Sequence, residues 1–116
     1  MRYEESKIQQ QCVRWFRLQY PGYILFAIPN GGRRGKVEAA IMKGEGVLAG
    51  VADLFLAMPS GKHCGLFVEM KTEHGRQTPA QKDFEKRAVF SGYKYAVCRS
   101  AYEFIEAINN YLKIKP

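Results

Sequence analysis

Two short apolar runs joined by turn residues constrain the fold of this chain more than any other feature. Residues 52–57 and 65–71 are mostly aliphatic or aromatic, and residues 59–62 between them have the sequence Pro-Ser-Gly-Lys. Apolar runs separated by residues of this kind predict a β-hairpin. We therefore expect two neighbouring antiparallel strands in the middle of the chain.

Acidic residues occupy matching positions in the two predicted strands. Asp53 and Glu69 are equally distant from Gly61 along the chain, so a turn centred there places them directly opposite each other. Antiparallel partners of this kind have Cα atoms about 4.5 to 5.5 Å apart. Side chains alternate between the faces of a strand, so Glu69 and Lys71 share one face. We expect these three charged side chains to lie together.

Two opposed carboxylates destabilise a sheet unless something offsets their repulsion. A divalent cation would do so, and oxygen ligands without an organised set of Cys or His favour Mg²⁺ or Mn²⁺. The alternative is that Lys71 forms an ion pair with one carboxylate and that all three groups are solvated at the edge of the sheet. Both interpretations remain open at this point.

Length and charge restrict the class of protein further. With 116 residues, the chain has the size of one domain spanning residues 1–116. Its net charge of +7 suggests a polyanionic partner, with nucleic acid as the leading candidate. Without an apolar run of transmembrane length or a signal peptide, we expect no membrane partner and a cytoplasmic location, in a bacterium or the host of a virus. Three cysteines in apolar surroundings predict buried, reduced thiols.

Helical periodicity and further apolar runs complete the order of elements. In chain order we predict helix 5–19, strand 23–28, helix 37–43, the two hairpin strands, helix 78–91, strand 93–98 and helix 100–112. The continuous apolar character of strand 23–28 predicts a buried strand. Thr78 with Gln81, and Ser100 with Glu103, have the spacing of capping boxes. The order αβαββαβα predicts an α/β fold with a mixed sheet.

Several of these motifs resemble those of one known family. The segments Gly50-Val51-Ala52-Asp53 and Glu69-Met70-Lys71-Thr72, together with Gly75 and Gln81, resemble the virus-type replication-repair nuclease (VRR-NUC) family of the PD-(D/E)XK restriction-endonuclease-like superfamily. The resemblance covers most of the chain, including the Pro29-Asn30-Gly31 loop. Ala52 stands where the name of the superfamily expects Pro, which would stiffen the start of the strand and supply no ligand. The resemblance implies a restriction-endonuclease-like core.

The resemblance also implies roles for individual residues. Asp53, Glu69 and the backbone carbonyl of Met70 would hold Mg²⁺ or Mn²⁺, and Lys71 would orient or activate the attacking water. Gln81 and an acidic residue near the N-terminus would complete the site.

Two of these roles have alternatives. Glu5 fits the spacing of the family better than Glu4, although either could be a solvated acid in the first turn of a helix. Gln81 is equally well explained as the capping partner of Thr78, so a capping role and an active-site role both remain open.

A basic segment follows the Pro29-Asn30-Gly31 loop. Asn30, Arg33, Arg34 and Lys36 could belong to an ordinary solvated loop, but we expect them to contact phosphates because basic loops beside a metal site suit a protein that follows the nucleic-acid backbone.

The resemblance implies a DNA endonuclease of phage or bacterial type that acts in DNA repair on branched, flapped or four-way-junction DNA, as a Holliday junction resolvase does. A homodimer is a further expectation, because a small domain has little area with which to grip a junction. The alternatives are a basic nucleic-acid-binding module without catalysis, an RNase and a sequence-specific restriction nuclease.

Overall fold

Residues 2–29 and 35–113 are the part of the chain that this computed structural model describes, and their helices and strands follow the predicted order. The elements are α1 (Arg2–Gln19), β1 (Leu25–Ala27), α2 (Lys36–Gly44), β2 (Leu54–Leu56), β3 (Leu66–Met70), α3 (Pro79–Phe90), β4 (Lys94–Cys98) and α4 (Ala101–Leu112). None of these helices combines the length and the apolar composition that a membrane span requires.

The strands form one mixed sheet, as predicted, and their spatial order is β1-β2-β3-β4. The pairs β1–β2 and β2–β3 are antiparallel, and β3–β4 is parallel because α3 connects the two strands. In the β2–β3 hairpin, Leu54 pairs with Val68, Phe55 with Phe67 and Leu56 with Leu66. This is the register that a turn centred on Gly61 predicts, so the expected hairpin is confirmed.

Helices cover the sheet on both faces. On one face, Phe16 of α1 and Phe104 and Ile108 of α4 pack with the buried aliphatic residues of β2 and β3. On the other face, Phe84 of α3 contacts Phe67 of β3 in an edge-to-face arrangement, with ring centroids 5.1 Å apart. Glu69 has the same parity as Phe67 in β3, so it lies on the face that α3 covers.

The prediction of a buried strand at residues 23–28 is wrong. β1 is a three-residue strand at the edge of the sheet, and only Leu25 is buried. Phe26 is 46% exposed, although its ring contacts Phe55 with centroids 5.9 Å apart. An edge strand needs only one buried face, and a continuously apolar run does not reveal which face that is.

Two local predictions need correction. The hydroxyl of Ser100 accepts a hydrogen bond from the backbone N–H of Glu103 at 3.1 Å. In a complete capping box the Glu103 carboxylate would accept a hydrogen bond from the backbone N–H of Ser100, but here it accepts one from the backbone N–H of Arg99. The second capping box is therefore only half formed. Cys12 and Cys98 are buried as predicted, whereas Cys64 is exposed because it lies in the connection between β2 and β3.

Candidate active site

The carboxylate of Asp53 lies at the open end of the β2–β3 hairpin. Asp53 directly precedes Leu54, whose partner Val68 directly precedes Glu69, so the register brings the two acidic residues opposite each other. Oδ2 of Asp53 accepts a hydrogen bond of 2.7 Å from the backbone N–H of Met70. This bond fixes the Asp53 side chain against the strand that carries Glu69.

The electrostatic surroundings of Asp53 show which charged groups are near it. Burial is the largest cause that raises the pKa of Asp53, and the negative charges of Glu5 and Glu69 raise it further. The hydrogen bond from Met70 and the positive charge of Lys71 act in the opposite direction. The charges of Glu5, Glu69 and Lys71 are therefore close enough to Asp53 to change how readily it ionises.

Glu69 is completely buried, and its two carboxylate oxygens have different surroundings. Oε1 accepts hydrogen bonds from the hydroxyl of Tyr95 and, at 3.1 Å, from Nε2 of Gln77. Among the described residues Oε2 has no hydrogen-bond partner, and Nζ of Lys71 lies 3.7 Å from it. A buried polar atom without a hydrogen bond is uncommon and indicates a missing partner such as a water or an ion.

The position of Lys71 bears on the alternative of a simple ion pair. Its side chain is almost completely buried, and the distance of 3.7 Å to Glu69 is within the range of an ion pair. That distance is too long for a hydrogen bond, so Lys71 alone leaves Oε2 of Glu69 unsatisfied. Oε2 of Glu69 could therefore accept one further hydrogen-bond donor or bind a cation.

The oxygen donors present fit a magnesium ion. Oε2 of Glu69, the Asp53 oxygen that does not bond to Met70, and the backbone carbonyl of Met70 are the groups that could hold it. The described residues contain no group of three His, Cys, Asp or Glu side chains arranged for a metal. A cation here would thus depend on two carboxylates, a carbonyl and water, which is a usual arrangement for Mg²⁺.

The structure distinguishes Glu5 from Glu4. Glu5 lines the same groove as Asp53 and contributes to its raised pKa. Glu4 is exposed and lines a separate depression together with Thr72 and Arg99. Of the two acidic residues, Glu5 is therefore the one that α1 turns towards the candidate site.

Gln81 forms the predicted capping box at the start of α3. Its Oε1 accepts a hydrogen bond of 2.8 Å from the N–H of Thr78, and its own N–H donates to Oγ1 of Thr78. The backbone at Ala80 and Gln81 packs so closely on Gly50 that a Cβ atom at position 50 would overlap it. The start of α3 is thus held against the segment that leads to Asp53, and a role for Gln81 in the reaction stays a prediction.

Two residues that donate hydrogen bonds to Glu69, Tyr95 and Gln77, were not identified from the sequence as part of the site. Tyr95 is opposite Phe67 in the parallel β3–β4 pair, so its side chain lies on the same face as Glu69. Burial and the hydrogen bond to Glu69 raise the pKa of Tyr95, which keeps its hydroxyl protonated as a donor. Nε2 of Gln77 also donates to Glu85 at 3.0 Å and so bridges the two carboxylates.

Arg99 is a further residue near the site that sequence analysis missed. Its Nη1 donates hydrogen bonds to the carbonyls of Thr72 at 2.8 Å, Glu73 at 3.3 Å and Gly75 at 2.6 Å. A Cβ atom on Gly75 would lie 3.4 Å from Cδ of Lys71, so this loop rests on the aliphatic part of the lysine. Arg99 therefore holds the loop that packs against Lys71.

The predicted nucleic-acid contacts are placed only in part. Asn30, Arg33 and Arg34 lie outside the described residues. Lys36 is the first residue of α2 and is exposed.

The family model and two solved structures that match this chain carry the same description, the VRR-NUC domain. The family model described as VRR-NUC domain matches residues 3–102. A solved structure titled "VRR_NUC domain protein" is 27% identical and superposes with a TM-score of 0.79, covering 94% of this chain and 88% of that one. Another, titled "VRR_NUC domain", is 22% identical with a TM-score of 0.63, covers 92% of this chain and 96% of its own, and shows the same fold. A comparison with curated proteins finds no match.

Proposed function

Because this chain belongs to the VRR-NUC domain family and has a restriction-endonuclease-like fold, we propose that its nuclease activity is metal-dependent and cleaves DNA internally. One observation carries the metal dependence: the buried Oε2 of Glu69 has no hydrogen-bond partner among the described residues, and Asp53 and Lys71 adjoin it. Mg²⁺ or Mn²⁺ is the cofactor that suits these oxygen donors.

The residues of the site have different proposed roles in phosphodiester hydrolysis. When bound, the cation supplies positive charge beside the phosphate and makes an attacking water more acidic. Asp53 and Glu69 would hold the cation, with the backbone carbonyl of Met70 as a third donor. The ammonium group of Lys71, 3.7 Å from Glu69, orients the water and stabilises the negative charge that develops on the phosphate oxygens.

Glu5 and Gln81 complete the proposed site from two different helices. Glu5 adds a carboxylate on the α1 side of Asp53, where it would accept a hydrogen bond from the attacking water. Gln81 has its Oε1 engaged in capping, so its Nε2 is the group that we propose for contact with the substrate.

DNA is the substrate that we propose, and specifically branched, flapped or four-way-junction DNA in repair. The net charge of +7 supports a polyanionic partner. We propose that the amide of Asn30 and the basic side chains of Arg33, Arg34 and Lys36 contact its phosphates. The proposed place of action is the cytoplasm of a bacterium or of the host of a virus.

A homodimer would provide two sites for the strands of a junction. The support for a homodimer comes from α2, in which no residue is buried. Two of its apolar side chains are strongly exposed, Val37 at 76% and Ile41 at 55%. Apolar side chains on an exposed helix favour burial against another surface, and a second copy of the chain is the partner that we propose.

The test compares cleavage of labelled duplex, flap, four-way-junction and single-stranded DNA in Mg²⁺, Mn²⁺, Ca²⁺ or chelator. We expect cleavage with Mg²⁺ and Mn²⁺, a preference for branched DNA, and binding with little cleavage in Ca²⁺. Lys71→Ala should lose cleavage and keep DNA binding, whereas Lys86→Ala on the exposed side of α3 serves as a control that removes the same charge. Undiminished cleavage in excess chelator would exclude the metal mechanism, and equal rates for wild type and Lys71→Ala would refute the role of Lys71. DNA binding without cleavage in any of these ions would favour the binding module.

A further inference from the structure

A groove runs along α1 from the candidate active site. It has a volume of about 790 Å³ and begins at Asp53 and Glu5. Arg14, Arg17 and Leu18 line its far part, beyond the acidic end. The groove is therefore continuous with the site but extends well beyond the residues that would hold the cation.

The lining of the groove combines three kinds of side chain. Gln9 and Gln10 supply amide groups, Val13 and Ile28 supply apolar surface, and the arginines supply positive charge. A nucleic-acid strand has the complementary features, because it carries charged phosphates on a less polar sugar framework. None of the described residues that line the groove is aromatic, so it offers no platform for stacking bases.

The size of the groove favours one strand over two. Its volume is within the range of about 300 to 1,000 Å³ that accommodates small ligands, so it can hold the sugar–phosphate backbone of one short strand but not a duplex. Glu5 and Arg17 are separated by about 18 Å along the helix axis, since each residue adds about 1.5 Å. At about 3.4 Å per phosphate, a stacked strand covers that length with roughly five nucleotides.

We propose that this groove binds a single-stranded DNA arm of about five nucleotides that continues from the phosphate to be cleaved. Arg14 and Arg17 bind phosphates of the arm, and the amides of Gln9 and Gln10 contact its polar groups. The arm is bound through its backbone, so the site tolerates any base sequence. This inference rests on the proposed nuclease function and identifies the part of a branched substrate that the site engages.

The experiment measures binding in Ca²⁺ by fluorescence anisotropy, with duplexes that carry 5′ or 3′ arms from none to about ten nucleotides long. For the wild-type protein we expect affinity to rise with arm length for one arm polarity and to level off near about five nucleotides. Arms of poly-dT and poly-dA should bind alike. A flat dependence on arm length for both polarities overturns the proposal, whatever the variants do.

The double variant Arg14→Ala with Arg17→Ala tests the two arginines. It should lose the increase with arm length, keep the affinity for blunt duplex, and lower the salt dependence of arm binding by about 1.4 units of log–log slope, which is about 0.7 per phosphate contact. The control is Lys86→Ala with Arg87→Ala, which removes the same charge from α3 on the opposite face of the sheet. Equal loss of arm binding in both double variants would overturn the specific role of the groove.

Cleavage in Mg²⁺ is measured separately, so that the two proposals can fail independently. A wild-type protein that cleaves no DNA but shows the expected arm dependence would refute the nuclease function and support the groove. A wild-type protein that cleaves flaps but binds all arm lengths alike would refute the groove alone. If the Arg14 and Arg17 variant does not fold, the wild-type arm series decides the question.

Discussion

Replacing Asp53 by Asn tests the proposed cation site most directly. The substitution preserves the shape of the side chain, but an amide is a poorer ligand for a hard cation than a carboxylate. The native Oδ2 accepts a hydrogen bond from Met70, and an Asn side-chain oxygen can accept the same bond. We therefore expect a folded protein that binds DNA, does not cleave it, and gains little stability from Mg²⁺.

The size of the effect follows from linkage between binding and folding. A cation at about one hundred times its Kd stabilises the native state by about 2.7 kcal/mol. For a chain of this length about 1 kcal/mol changes Tm by roughly 4 °C, so wild type should gain roughly 11 °C. If the substitution weakens binding about one-hundredfold, the same Mg²⁺ concentration gives about 0.4 kcal/mol, or less than about 2 °C.

In the absence of metal, Asp53→Asn should not lower the stability of the protein and should raise it slightly. Burial, with the charges of Glu5 and Glu69, raises the pKa of Asp53 above its ordinary value of 3.8, so the folded protein binds this proton more tightly than the unfolded chain does. The ionised carboxylate thus costs stability, and this cost develops as the pH rises from the ordinary pKa through the raised one. At about pH 7 in chelator, Asp53→Asn should be as stable as wild type or slightly more stable.

Thermal unfolding in chelator and over a series of Mg²⁺ concentrations provides the measurement. Asp83→Asn is the matched control, because Asp83 is exposed on α3 and pairs only weakly with Arg87 at 3.4 Å. The control should show the wild-type increase in Tm and the wild-type rate of cleavage. An Asp53→Asn protein with both the full Mg²⁺ stabilisation and the wild-type cleavage rate would refute the assignment of the site.

Other substitutions test the surroundings of the site. Tyr95→Phe removes the hydroxyl that donates to Glu69, and calorimetry should show Mg²⁺ affinity reduced about tenfold to a hundredfold; unchanged affinity would contradict this support. Arg99→Ala should lower the single-turnover cleavage rate with little change in DNA affinity, and Arg99→Lys should restore part of the rate, whereas a loss of affinity alone would identify Arg99 as a phosphate contact. Burial raises the pKa of the Cys12 and Cys98 thiols to about 12, whereas Cys64 is exposed. At about pH 8 a thiol reagent should therefore modify only Cys64 in the folded protein. Rapid modification of all three cysteines would show that the core is open.

The parts of the structure that depend on nearby residues were predictable from the sequence. The register of the hairpin follows from one turn, and it brings Asp53 opposite Glu69. The cap of α3 follows from Thr78 and Gln81, which are three residues apart. In both cases the interacting groups are fixed by a short segment whose geometry has few alternatives.

The parts that depend on distant packing were not predictable. Tyr95 contacts Glu69 because β3 and β4 pair in parallel. The register of this pairing depends on how α3 packs and cannot be read from a turn in the sequence. Arg99 and Gln77 act from loops, where neither periodicity nor a capping pattern gives a signal. The exposed face of β1 was missed because apolar residues alone do not show which surface a helix covers.

The two kinds of pairing around β3 also have a consequence for folding. Leu54 and Val68 are half as far apart along the chain as Leu66 and Lys94, and each doubling of a loop costs only about 0.6 kcal/mol more chain entropy. That difference favours closure of the hairpin before β4 is added. The two carboxylates then meet while the hydroxyl of Tyr95 is still distant, so their repulsion opposes an early step of folding and its relief comes with a later one. Under the proposed cation site, Mg²⁺ present during refolding would remove that obstacle at the hairpin stage and speed the formation of the sheet.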